Sequence, residues 1–171
     1  MKMTKLLLTS AFLFAFGALS NIAMAKDTVD AADFVDHATA AGVAQIEAGK
    51  LAIQKSSAPN IKAFAQEVIN DHNAANKALT AIAKKRNLKV STEAELMTKA
   101  KAFVLKQRDG ESFDEAYAKN QVNAHNDAIE LFKKASMSAD AELAAYAVAT
   151  LPKLEHHLMK AKELVNGYEK K

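Results

Sequence analysis

Apolar residues return every three or four positions along most of the chain, the period of a helix with one buried face, and four long stretches show it. The first runs from about Asp30 to Lys55. It gathers Phe34, Ala38, Ala41, Gly42, Gln45, Ile46, Ala48, Gly49, Ala52 and Ile53 on one side and leaves Asp36, Glu47, Lys50 and Gln54 outside. Its small residues predict a closely approaching neighbour. The second stretch aligns Ile61, Phe64, Val68, His72, Ala75, Leu79 and Ile82. The third aligns Tyr117, Gln121, His125, Ala128, Ile129 and Phe132, and the fourth aligns Leu143, Tyr146, Thr150, Leu154, His157, Ala161 and Leu164. Four such faces close a bundle.

Start and stop signals set the lengths. Ser56-Ser57 ends the first helix, and Pro59 opens the second in a turn where a missing N–H costs nothing; that helix ends near Arg86. Thr92-x-x-Glu95 is a capping box for a short helix to about Lys106, and Ser112-x-x-Glu115 is a second box that opens the third long helix. Ser138 and Asp140 open the fourth, which continues to about Val165 with a kink expected at Pro152. Short joints make the first and second helices one antiparallel hairpin and the third and fourth another. The longer segment between the hairpins can cross the bundle lengthwise, so the second and third helices run parallel. The predicted fold is all-α, a ferritin-like four-helix bundle with one long crossover connection containing a short helix.

Composition agrees: half the residues are hydrophobic, with only 5 Gly and 2 Pro. The N-terminus adds an address. Lys2 and Lys5 precede an apolar run from Leu6 to Leu19, and Ala23-Met24-Ala25 has the small-x-small form of a cleavage site, so residues 1–25 read as a cleavable signal peptide. Residues 26–171 then form a single bundle domain, periplasmic or secreted. Removing Lys2 and Lys5 from 23 Lys+Arg, against 20 Asp+Glu, leaves the mature chain nearly neutral. No later segment is apolar for long enough to span a bilayer. Lys84, Lys85, Arg86 and Lys89 sit where a helix dipole favours cations, so they do not argue for a nucleic-acid partner.

Chemistry is sparse. With no Cys there are no disulfides, thiolate metal sites or cysteine nucleophiles. Glycines at 17, 42, 49, 110 and 167 assemble neither a dinucleotide fingerprint nor a phosphate loop. Scattered Ser and His are all that suggests a hydrolase, and no catalytic residue is nominated. A di-iron site needs inward Glu-x-x-His pairs, but Ile69, Val122 and Leu154 stand three residues before His72, His125 and His157. These three histidines nevertheless fall on apolar stripes near mid-helix, with Gln45 at the corresponding place on the first helix. In a bundle of similar helices they meet at one level. His156 and His37 fall off it, and Met97, Met137 and Met159 are scattered packing residues.

Two readings of that level are open, and the scarcity of inward carboxylates favours the first. One is a hydrogen-bonded polar layer that fixes register, each imidazole satisfied by Gln45, Gln121, a Tyr hydroxyl or water. The other is a metal site for a divalent transition ion, with Asp71 as a ligand or as a partner to one of the imidazoles.

The segments Gly42 to Ala52, Phe64 to Asn76, Phe113 to His125 and Thr150 to Ala161, with their Asp-His-x-x-Ala-Asn, Phe-Asp-x-x-Tyr and Thr-Leu-Pro-x-Leu-x-x-His-Leu motifs, resemble the exported bacterial family called domain of unknown function 4142. The resemblance implies a ferritin-like fold and no assigned reaction, and it maps the family's motif residues onto Asp71, His72, His125 and His157. Gln45 stands where the family's first Glu of a Glu-x-Glu-x-Gly run is expected, which weakens a metal reading for this member. The sequence therefore favours an exported, non-enzymatic bundle, stress-related or bound to a protein partner in the cell envelope. The alternative is a metal-binding or redox protein that uses the histidine level.

Overall fold

The computed structural model describes residues 28–93, 99 and 104–169, and every regular element among them is a helix. These are α1 (Ala31–Lys55), α2 (Pro59–Lys85), α3 (Gly110–Ala135) and α4 (Ala141–Glu169). The signal segment expected over residues 1–25 lies outside the described residues. So does most of the expected short helix, although Lys99 and residues 104–106 are helical.

The helix ends follow local chemistry. Asp30 caps α1, its Oδ1 accepting from the Ala32 N–H at 2.8 Å. Pro59 begins α2 after Ala58, which offers no side-chain cap. Asp140 Oδ1 accepts from the Glu142 and Leu143 N–H groups at the start of α4. The start of α3 differs from expectation. It begins at Gly110, whose φ of 57° is open to glycine, and the Ser112 hydroxyl of the expected capping box accepts from Arg108 Nη1 at 3.2 Å instead. Helix α4 runs unbroken through Pro152 and beyond Val165 to Glu169. The carbonyl of Val148 loses its donor to Pro152, but both residues are exposed and solvent can replace it.

Contacts along the helices fix their directions. Asn76 Nδ2 on α2 donates to the Thr39 carbonyl on α1, and Lys55 at the end of α1 meets Asp109, just before α3, at 2.8 Å. Phe34 near the start of α1 packs edge-on against Phe132 near the end of α3, ring centroids 5.1 Å apart. Arg86, just past α2, grips Asp140 and Glu142 at the start of α4. Each of these neighbouring pairs is antiparallel. Phe64 of α2 instead meets Tyr117 of α3, start to start, so α2 and α3 face each other across the bundle and run parallel. That is the connectivity of two hairpins joined by a lengthwise crossover, as expected. The basic cluster at the end of α2 is engaged too, since Lys85 also pairs with Glu142.

Glycines bring α1 and α2 close. A Cβ on Gly42 would lie 2.1 Å from Asn76 Oδ1, and one on Gly49 would lie 2.7 Å from Ile69 Cγ1 and 3.1 Å from the Ala65 carbonyl. The interior divides into two apolar clusters. One holds Phe34, Leu79, Ile82, Ile129, Phe132 and Leu143, and the other Ile61, Phe64, Val68, Leu105, Phe113 and Tyr117. Between them lies a polar level.

Candidate metal centre

Helix period and equal helix length bring His72 of α2, His125 of α3 and His157 of α4 to that level. They are 8%, 1% and 1% exposed, and their ring centroids lie 5.1 to 5.8 Å apart. One nitrogen from each falls within 4.8 Å of the others. Gln45 of α1 is buried beside them, whereas His156 is half exposed and pairs with Glu67 at 3.1 Å, and His37 is exposed.

The hydrogen bonds select tautomers. A carbonyl oxygen only accepts, so the 2.8 Å contact between His125 Nδ1 and the Gln121 carbonyl puts the proton on Nδ1 and leaves Nε2 with a bare lone pair. A carboxylate also only accepts, so His157 Nε2 donates to Asp71 Oδ2 at 3.1 Å and His157 Nδ1 is bare. Those bare nitrogens, together with His72 Nε2, are buried and have no hydrogen-bond partner among the described residues. Asp71 thus stands behind His157 as its orienting partner, and is itself held by Lys153. This carboxylate–imidazole pairing is how proteins fix the ring orientation and raise the basicity of metal-binding histidines.

Burial also sets the charge. Removal from water, reinforced by the two neighbouring imidazoles, pushes the His72 pKa down to about 3. Burial takes His125 down to about 4 against the opposing bond to the Gln121 carbonyl, and lowers His157 against the pull of Asp71. Burial raises Asp71, but Lys153 and His157 outweigh it and hold the carboxyl below its ordinary value. All three imidazoles are therefore neutral at neutral pH, the form that ligates.

The donor set fits a cation. A point can be placed within about 2.8 Å of all three nitrogens, so ring movements of under about an ångström reach metal–imidazole bonding distance. Gln45 Oε1, both side-chain polar atoms of Gln121 and the Tyr117 hydroxyl are also buried without partners among the described residues. Glu67 and Asp71 bring a second group of carboxylates to His157, but Lys160 and Lys153 occupy them. Sequence reasoning missed the Gln121 carbonyl, because a backbone acceptor has no signature.

Two openings reach this level. A pocket of about 30 Å³ on the α2–α4 side is lined by Asp71, His72, Lys153 and His157. A cavity of about 230 Å³ on the α1–α3 side is lined by Gln45, His72 and His125, with Glu47 and Asp127 at its edge.

The model of the family described as "Domain of unknown function (DUF4142)" matches residues 18–164. No curated protein sequence matches the chain. The fold is similar to that of a solved structure described as "CopM in the Cu(II)-bound form", with a TM-score of 0.70 and 14% sequence identity over 82% of this chain and 99% of that one. No described helix is long and apolar enough to cross a membrane.

Proposed function

We propose, for a chain that belongs to the DUF4142 family, that it binds a late first-row transition-metal ion, copper foremost, through His72, His125 and His157. The observation that carries this reading is the convergence of three buried, neutral imidazoles, one nitrogen of each within 4.8 Å of the others, on rings that each carry a nitrogen no described residue satisfies. Imidazoles suit copper and zinc, and copper(II) stands highest in the affinity order for such donors. The structural likeness to a protein solved with Cu(II) supports testing copper first. When bound, the ion supplies Lewis-acid chemistry and, as copper, one-electron chemistry. The chain's own residues do the rest: Asp71 and the Gln121 carbonyl hold the proton on the outer nitrogen of two rings, and the apolar clusters close the level above and below along the bundle axis.

Export belongs to the same proposal. Lys2, Lys5, the apolar run and Ala23-Met24-Ala25 support cleavage after Ala25 and a periplasmic or secreted mature chain, residues 26–171. We assign it no catalytic residue, and a stress-related or envelope-partner role is compatible with metal binding.

A second reading has its own observations. The bonds from His125 to Gln121 and from His157 to Asp71 suit a structural polar layer that sets register. Metal analysis of untagged exported protein, followed by titration of apo-protein with Cu(II), separates the two. The expected result is one ion per chain, lost in His125→Ala. A metal-free protein whose melting temperature ignores Cu, Zn, Fe and Mn, with His72→Ala still destabilised, would establish the structural layer.

A further inference from the structure

We infer that the α1–α3 cavity is the route by which a hydrated divalent cation reaches the three histidines, with Gln45 as an oxygen donor beside them. The inference rests on the metal-binding reading and adds a path to it. Ligands 92 to 99% buried cannot meet a cation in bulk water, and two openings among the described residues lead toward them.

The openings differ in size and charge. The α2–α4 pocket holds about 30 Å³, room for about one water, and its carboxylate, Asp71, is already neutralised by the Lys153 ammonium that stands over it. A cation entering there meets the Lys153 ammonium as a like charge. The α1–α3 cavity holds about 230 Å³, carries the exposed carboxylates Glu47 and Asp127 at its edge, and has no lysine or arginine among its described lining residues. Clefts of one charge sign raise the local concentration of the opposite ion.

Deeper in, Gln45 is 7% exposed, and its Oε1, a hard neutral oxygen, has no partner among the described residues. At the inner wall stand His72 and His125, whose Nε2 atoms are likewise unpartnered. Exposed carboxylates thus stand at the solvent side, and a buried amide oxygen and two imidazoles stand together within. Such a set can replace the ion's water molecules stepwise, with the imidazoles as the donors that suit a late transition metal best.

The test is stopped-flow loading of the full apo-protein with Cu(II), followed by tyrosine fluorescence quenching, for which the chain has 3 Tyr and no Trp. Glu47→Gln with Asp127→Asn should slow association about threefold at low ionic strength, a difference that vanishes at high salt. Ala124→Phe, which narrows the cavity, should slow loading and release by the same factor, at least about fivefold, and leave equilibrium affinity unchanged. Lys153→Gln should leave the loading rate within about twofold. Normal equilibrium binding with unaltered rates in the carboxylate and Ala124 variants, or faster loading in Lys153→Gln alone, overturns the route while the metal site stands. No stoichiometric binding at equilibrium overturns the site and the route together.

Discussion

The ends of the bundle and its middle solve opposite problems with the same helices. Toward either end, rings and aliphatic chains close on one another, as in the Phe34–Phe132 edge contact and the parallel stacking of Phe113 on Tyr117. In the middle, at the same depth, the packing units are imidazoles and amides with several polar atoms unpaired among the described residues. A buried polar atom without a partner costs on the order of 1–3 kcal/mol, whereas a large buried apolar side chain contributes about 1.5–3 kcal/mol. The ends therefore carry most of the fold's stability, and the middle draws on it to bury polar groups at the same depth. Structure and chemistry are segregated along the bundle axis.

The largest expected effect belongs to an end. Phe113→Ala should lower unfolding stability by about 3–5 kcal/mol in denaturant melts, while the protein that remains folded keeps its metal stoichiometry. Equal loss of metal would break the segregation. Next, Cu(II) at a hundred times its dissociation constant should stabilise the wild type by about 2.7 kcal/mol, an effect absent in His125→Ala.

Acid supplies the third test. The folded pKa values of His72 and His125, about 3 and about 4, lie below the ordinary value of 6.5. The unfolded chain therefore takes up protons first as pH falls, and stability present above about pH 6.5 drains away below it. Each of these two histidines should cost the apo-protein about 1 kcal/mol between pH 6 and pH 5, and His72→Leu should flatten that slope in melts across the range. At the α1–α2 contact, Gly49→Ala drives a Cβ toward Ile69 and the Ala65 carbonyl and should cost about 1–3 kcal/mol by thermal or denaturant unfolding. The smallest effect belongs to a control: His156→Ala, half exposed beside Glu67, should change stability within about 0.5 kcal/mol. A cost there equal to that of His157→Ala would mean that the wrong face of α4 has been assigned to the interior.

Much of this was legible in the residues. Helical period placed His72, His125, His157 and Gln45 inward, and the lengths of the connections selected the crossover and the parallel pair α2 and α3. What was not legible depends on neighbours that are remote in sequence. Val35, Thr39, Ala40 and Ala44 are buried although they lie off the expected stripe of α1, because α1 is covered from more than one side. Thr39 shows this directly: its hydroxyl donates to the Val35 carbonyl at 2.7 Å and accepts from the Ser91 N–H of the crossover at 2.9 Å. Ala41, on the expected stripe, is instead exposed and lines both openings. Asp71 could be read as ligand or support from its spacing, which could not show its bond to His157 Nε2. The cavity could not be read at all, because it is the space that α1 and α3 leave between them.

The three histidines are shared unequally between the hairpins. His72 comes from the first, formed by α1 and α2; His125 and His157 come from the second, formed by α3 and α4. Neither hairpin alone holds the set. An ion held by all three would be a clasp across the seam, and every excursion that parts the hairpins would have to undo it. The amides that exchange slowest with solvent in the loaded protein should then include those on both sides of that seam, so that occupancy is written into the breathing of the whole bundle.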